Sequence, residues 1–212
     1  MDLLDIVLHL DVHLLKLVQD YGIWVYAILF AIIFSETGFV VTPFLPGDSL
    51  LFVAGAIAAT GEMNVWALVA LLALAAVLGN TVNYAIGRWL GKTFFQEGGA
   101  RWLNRKHLDK AHEFYERHGG KAVVISRFLP IVRTYVPFVA GMAAMSAREY
   151  TLYNVAGGVL WVGSLTFAGY FFGNIPWVKG NLTAIIIGII VVSLLPLAYA
   201  FVKSRMARKA GA

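Results

Sequence analysis

Phe44-Leu45-Pro46-Gly47-Asp48-Ser49-Leu50-Leu51-Phe52-Val53-Ala54-Gly55-Ala56 decides the fold of this chain, because a near-copy returns roughly 85 residues later. The copy runs Phe128-Leu129-Pro130 and reaches Phe138-Val139-Ala140-Gly141-Met142. Each phrase lies in an apolar stretch with helix-breaking Pro and Gly at its centre. Their charges are opposite: Glu36 and Asp48 accompany the first, Arg127 and Arg133 the second. Broken hydrophobic segments at corresponding places in two halves point to the binding site of a membrane transporter.

Composition agrees with that setting. Of 212 residues 59% are hydrophobic and only 14% charged, with mean hydropathy +0.73, whereas a soluble domain is nearer a quarter charged. The charge-free runs Met63–Gly87, Tyr150–Val178 and Gly180–Val202 each exceed the roughly 20 residues that a spanning helix needs. The chain therefore reads as an all-α polytopic membrane protein. With no cysteine, disulfides, thiol catalysis and thiolate metal sites are excluded.

Residues 1–20 carry Asp2, Asp5, Asp11 and Asp20 where a signal peptide carries positive charge. Leu3, Val7, Leu10, Leu14 and Leu17 form an apolar stripe opposite Asp2, Asp5, His9, His13, Lys16 and Asp20, which predicts an amphipathic helix. It is expected to lie along the membrane surface; the alternative is packing on the protein's own soluble face.

Residues 21–91 form a first half. An apolar segment from Tyr21 to Phe34 is interrupted between Glu36 and Gly47, and Ser49–Ala59 is too short to cross a bilayer. The economical reading is a re-entrant hairpin, followed by the spanning helix Met63–Gly87. Residues 92–121 make an interfacial connection rich in aromatic and charged side chains. Residues 122–173 form the second half, a broken segment Ala122–Met145 and a spanning helix Tyr150–Phe172. Residues 174–212 supply the last spanning helix, Thr183–Phe201, and a basic tail. Pro43, Pro46, Gly47, Pro130 and Pro137 are the expected hairpin breakers. Tyr84-x-x-Gly87-x-x-x-Gly91 is echoed by Gly169-Tyr170-x-x-Gly173. Non-helical backbone at membrane depth is tolerated only beside protein or a water-filled cavity, so a cavity is implied.

Lys and Arg concentrate in two places. Arg88, Lys92, Arg101, Arg105, Lys106, Lys110, Arg117 and Lys121 lie in or beside the long connection, and Lys203, Arg205, Arg208 and Lys209 in the tail. The short connections Thr60–Asn64 and Gly173–Asn181 hold only Lys179. By the positive-inside bias the long connection and the C-terminus are cytoplasmic. The two halves are then inverted, with their hairpin tips approaching each other near the midplane. The net charge of +5 records topology and contact with anionic lipid heads, not nucleic-acid binding.

Glu36, Asp48, Arg127 and Arg133 are the candidate site. Four charges at spanning depth cost on the order of 10 kcal/mol unless they pair or line a wet cavity. One reading is structural, with acid–arginine pairs pinning the hairpins together. The other is functional: the arginines bind an anionic group while the carboxylates exchange protons. Arginine suits phosphate because its planar fork meets two oxygens and stays charged. Elsewhere the signals are weaker. His9 and His13 sit on a solvated face, and His107, His112 and His118 lack ligand spacing. Ser35, Ser49 and Ser126 have no nearby base. No catalytic residue, metal or cofactor is assigned, and the chain is not expected to be an enzyme. Trp24, Trp66, Trp89, Trp102 and Trp177 read as interfacial belt residues. Small-residue spacings such as Gly87-x-x-x-Gly91 allow close helix approach, and a homodimer stays open.

These residues resemble the signatures of the bacterial DedA family. Phe34-Ser35-Glu36-Thr37-Gly38 and Pro43-Phe44-Leu45-Pro46-Gly47-Asp48-Ser49-Leu50-Leu51 are similar to the first. Arg127-Phe128-Leu129-Pro130-x-x-Arg133-Thr134-x-x-Pro137-Phe138-x-Ala140-Gly141-x-x-x-Met145 is similar to the second. Phe114-Tyr115-Glu116-Arg117-His118-Gly119-Gly120-Lys121 and Asn83-Tyr84-x-x-Gly87-Arg88 also fit. The resemblance implies an inner-membrane protein with two opposed re-entrant hairpins. It implies recycling of the lipid carrier undecaprenyl phosphate between leaflets, linked to the proton motive force. By motif position, Glu36 and Asp48 match the family's functional acids, and Arg127 and Arg133 its functional arginines. Asn80 departs from the pattern, standing where many members carry an acid, so a proton relay through that position lacks its acid here.

The expected function is a proton-linked flippase for undecaprenyl phosphate. Its partners are an anionic polyprenyl phosphate or phospholipid, protons and membrane lipids. The alternatives are a proton-coupled small-ion transporter for pH or osmotic homeostasis and a less selective phospholipid scramblase. A lipid phosphatase lacks the His/Asp/Arg set it needs.

Overall fold

The computed structural model describes residues 10–39, 47–97, 117–129, 132–143 and 145–181, with residue 188. The described residues are helical, with no strand. In chain order the helices are α1 (Leu10–Tyr21), α2 (Trp24–Gly38), α3 (Gly47–Ala58), α4 (Val65–Glu97), α5 (Lys121–Ser126), α6 (Val132–Met142), α7 (Ala147–Phe172) and α8 (Pro176–Gly180). Pro43, Pro46 and Pro130 lie outside the described residues, as do residues 1–9, most of the 92–121 connection and, apart from residue 188, the segment Thr183–Phe201 expected to be the last spanning helix.

Two helices are long and apolar enough to cross a membrane, Val65–Leu90 within α4 and Ala147–Phe172, each of 26 residues. At 1.5 Å per residue each is about 39 Å long, more than a hydrocarbon core of about 30 Å. Their outer faces remain apolar. Leu74, Leu78 and Val82 on α4 and Leu152, Val159, Leu160 and Phe171 on α7 are exposed. So long an exposed apolar surface suits lipid and not water. Local chemistry starts both helices: Asn64 Oδ1 accepts from the N–H groups of Trp66 and Ala67 at 3.0 Å, and Ser146 Oγ accepts from that of Glu149 at 3.3 Å.

Contacts fix the directions. α4 and α7 are antiparallel, since Tyr84 stacks on Tyr150, Asn154 bonds Val77 and Trp66 meets Phe167. α2 runs parallel to α4, because the Asn64 N–H donates to Tyr26 Oη and Asn83 Nδ2 to the Thr37 carbonyl. α5 runs parallel to α7, with Gly120 against Tyr153 and Val124 against Gly157. The second helix of each pair crosses over. α3 lies along α7 and α6 along α4, so α3 and α6 point in opposite directions.

Glycine makes those crossings possible. A Cβ on Gly55 would strike the Thr166 carbonyl oxygen, and one on Gly169 the Phe52 carbonyl oxygen. Across the molecule, Gly141 stands in the same way against the Tyr84 carbonyl and Gly87 against the Phe138 carbonyl. The packing thus pairs Gly87 with Gly169, one helical turn from the Gly87–Gly173 alignment that the sequence echo suggests. α3 is buried on every side, from Leu50 to Ala58, as a 12-residue helix hydrophobic all round must be.

Three sequence expectations change. Pro137 does not break the second segment: it lies inside α6, and the cost is one missing donor for the carbonyl four residues back, at Arg133. The interruption falls earlier, at the turn Arg127–Leu129 between α5 and α6. α4 runs on past Gly91 to Glu97, because Lys92–Glu97 contains no Pro or Gly to end it. α1 packs on the protein itself, with Leu14 of the expected stripe and the neighbouring Val18 buried in the core that α2 and α3 share; Leu3 and Val7 lie outside the described residues.

Candidate functional site

Each half brings its charges to the break between its first two helices. Glu36 lies in the last turn of α2 and Asp48 in the first turn of α3. Arg127 directly follows α5, and Arg133 is the second residue of α6. The crossing of α3 and α6 draws these ends together.

Arg133 takes both acids. Its Nη2 donates to Glu36 Oε1 and its Nη1 to Asp48 Oδ1 at 3.0 Å. Glu36 is fully buried, whereas the Asp48 side chain keeps 20% exposure. Trp161 of α7 completes the cluster. Its Nε1 donates to the same Asp48 Oδ1 at 3.0 Å, and its ring centroid lies 5.6 Å from Arg133 Cζ, a cation–π distance.

Arg127 is buried too, but amides surround it. Its Nη2 donates to Asn154 Oδ1 at 2.6 Å and to the carbonyls of Ala76 and Asn154 at 3.3 and 3.4 Å. With the Asn80 amide turned to satisfy both its ends, Asn80 Oδ1 accepts from Arg127 Nη2 at 3.0 Å and its Nδ2 donates to the Thr37 carbonyl at 3.2 Å. Asn154 is held in turn by donating to the Val77 carbonyl and Thr81 Oγ1 at 3.0 and 3.1 Å. Asn83 ties the halves together, donating to the carbonyls of Thr134 at 2.8 Å and Thr37 at 3.4 Å.

Glu36, Thr37, Asn80, Arg127, Arg133, Thr134 and Trp161 line a cavity of about 10 Å³, room for about one water molecule. Glu36 Oε2, Thr134 Oγ1, Arg133 Nε and both Nε and Nη1 of Arg127 find no partner among the described residues. Unpaired buried polar groups are costly, and most of those here sit around one cavity. Chemically the arrangement divides in two: an arginine neutralised by two carboxylates, and beside it an arginine whose ligands carry no charge.

The VTT domain family matches residues 45–171. Over 196 residues the chain is 58% identical to Protein DedA of Escherichia coli strain K12, covering 92% of this chain and 90% of that protein. The chain belongs to the DedA family. It is also 44% identical over 165 residues to the uncharacterized membrane protein ML0287 of Mycobacterium leprae, covering 78% of this chain and 74% of that one. Inner membrane protein YghB of Escherichia coli K12 is 41% identical over 155 residues, covering 73% and 71%. No solved structure matches.

Within this DedA-family membrane protein the structure brings Glu36, Asp48 and Arg133 into one cluster and sets Arg127 apart, on amides. Sequence reasoning passed over Trp161 and Asn154. Asn154 has a signal, a polar side chain inside a charge-free spanning run. Trp161 has none, since the sequence offers tryptophan only as a belt residue. Trp24, Trp66, Trp89 and Trp177 are each at least 70% exposed, against 2% for Trp161. Trp102 lies outside the described residues.

Proposed function

We propose that this protein carries the phosphate headgroup of a polyprenyl phosphate, undecaprenyl phosphate, across the bacterial inner membrane. The observation that carries the reading is Arg133 held between Glu36 and Asp48 beside an Arg127 that meets no carboxylate among the described residues. The carboxylates occupy the positions that phosphate oxygens would take on the arginine fork.

In this reading the structure is a closed form, because a cavity with room for about one water is too small for a phosphate. Protonation of Glu36 or Asp48 weakens its hold on Arg133 and frees donors for the headgroup. Arg127 supplies the second positive charge. The lipid tail stays in the bilayer throughout. The two broken segments are re-entrant hairpins of an inverted pair, the halves exchange exposure to the two leaflets, and the C-terminus is cytoplasmic. No bond in the lipid is made or broken.

The test is reconstitution in liposomes. Leaflet exchange of undecaprenyl phosphate is followed at several pH values, alongside phosphate release and proton flux. The expected result is exchange that rises as pH falls, is lost in Arg133→Ala and Arg127→Ala, and releases no phosphate. Exchange that survives both substitutions sinks the headgroup role. Proton flux without lipid exchange favours a small-ion transporter, and equal exchange of ordinary phospholipids a scramblase.

A further inference from the structure

We propose that the amide of Asn154 sets the charge preference of the site: it seats Arg127 without neutralising it, so that the site selects a headgroup carrying negative charge. The inference rests on the phosphate reading and adds a residue that this reading does not contain. Arg127 and Arg133 line one cavity, yet they are held in opposite ways. Arg133 meets two carboxylates. Arg127, 3% exposed, meets only amide and carbonyl oxygens among the described residues, all of them at Nη2. Its Nε and Nη1 find no partner there. A buried cation without a counter-charge is costly, and an aspartate in place of the asparagine would supply that charge by the change of a single heavy atom. An anion site needs one arginine left in that state; a structural brace does not.

α7 builds the seat. Asn154 Oδ1 accepts from Arg127 Nη2 at 2.6 Å, while its Nδ2 donates to the Val77 carbonyl and Thr81 Oγ1 at 3.0 and 3.1 Å. The donors at one end hold the oxygen at the other towards the arginine. One turn on, Gly157 and Gly158 leave bare backbone beside the guanidinium. A Cβ on Gly157 would lie 3.3 Å from Arg127 Nε, and one on Gly158 3.4 Å from Nη2. Packing alone does not call for an amide here. The glycine contacts equate Gly87 with Gly169, so the residue fifteen positions before each is Leu72 in α4 and Asn154 in α7. Both are fully buried, and the first half fills that place with an apolar side chain.

The test measures binding of farnesyl phosphate and of farnesol to the purified protein in nanodiscs, with thermal unfolding of each variant alongside. The unaltered protein is expected to prefer farnesyl phosphate. Asn154→Asp puts a carboxylate on Arg127 Nη2. It is expected to weaken farnesyl phosphate about tenfold or more, the scale of a hydrogen bond to a charged group, and to leave farnesol unchanged. Asn154→Leu, the side chain of the first half, adds no charge and is expected to weaken farnesyl phosphate distinctly less. Stability is expected to run the other way, with Asn154→Leu the lower in Tm, because leucine takes an acceptor from a buried guanidinium and aspartate keeps one. A side chain that only braced the helices would make affinity follow Tm. Farnesyl phosphate binding in Asn154→Asp superimposed on that of the unaltered protein, or weaker in Asn154→Leu than in Asn154→Asp, overturns the proposal. Should Asn154→Asp not accumulate, Asn154→Leu decides alone: it is expected to keep the preference for farnesyl phosphate over farnesol, and loss of that preference overturns the proposal. Equal binding of the two compounds by the unaltered protein instead sinks the phosphate reading, and the proposal with it.

Discussion

Replacing Arg133 with alanine removes the cation that two carboxylates share, and the structure says which acid suffers more. Removing one partner of a buried ion pair costs about 3–5 kcal/mol. For a chain of this length each kcal/mol moves Tm by roughly 2–4 °C, so a fall of roughly 6–20 °C is expected. The loss divides unequally. Glu36 is fully buried, whereas the Asp48 side chain is 20% exposed and keeps the Trp161 donor. Adding Glu36→Gln to Arg133→Ala should therefore restore more than half of the lost stability, and Asp48→Asn distinctly less. Thermal unfolding in detergent, followed by intrinsic fluorescence, measures all four proteins. An Arg133→Ala protein that melts with its parent, or equal rescue by the two acid substitutions, refutes the shared-cation account.

Three further outcomes follow from the packing and the charge pattern. Gly55→Leu and Gly141→Leu should each lower Tm sharply and by similar amounts, because each drives a side chain into a carbonyl of the opposite half. A Gly163→Leu control, where a Cβ meets nothing within 4 Å, should be mild. Brominated lipids with bromine near the headgroups should quench the exposed Trp24, Trp66, Trp89 and Trp177 and spare Trp161, with single-tryptophan variants as the readout. The chain has no cysteine, so single cysteines report topology directly. Ser204→Cys should react with an impermeant maleimide only from the cytoplasmic face and Glu62→Cys only from the opposite one; the reverse labelling overturns the inferred orientation.

The helical class and the membrane setting were legible because they rest on local properties: charge-free runs, period and punctuation. The four candidate charges were legible because an ionisable group in an apolar segment has few ordinary explanations. Their pairing was not. Glu36 and Arg133 are 97 positions apart and Asp48 and Arg133 are 85 apart, and the choice of Arg133 over Arg127 depends on how α3 and α6 cross. Pro137 misled because proline marks a lost donor as well as a break, and inside α6 only the first applies. For α1, period alone does not say whether lipid or protein covers an apolar stripe, and Leu14 is covered by protein.

The crossed glycine contacts bear on how the protein is made. Gly55 is synthesised 111 residues before Thr166, whose carbonyl it must meet (166 − 55). Until α7 leaves the ribosome, α3 has no helix to lie along, and a short apolar helix without its seat is neither a spanning segment nor a soluble one. The first hairpin must wait, sheltered by the insertion machinery or lying shallow at the interface, for the last third of the chain to arrive. Assembly of the site is thereby deferred to the end of translation, and a chain cut short before α7 carries its acids with nowhere to put them.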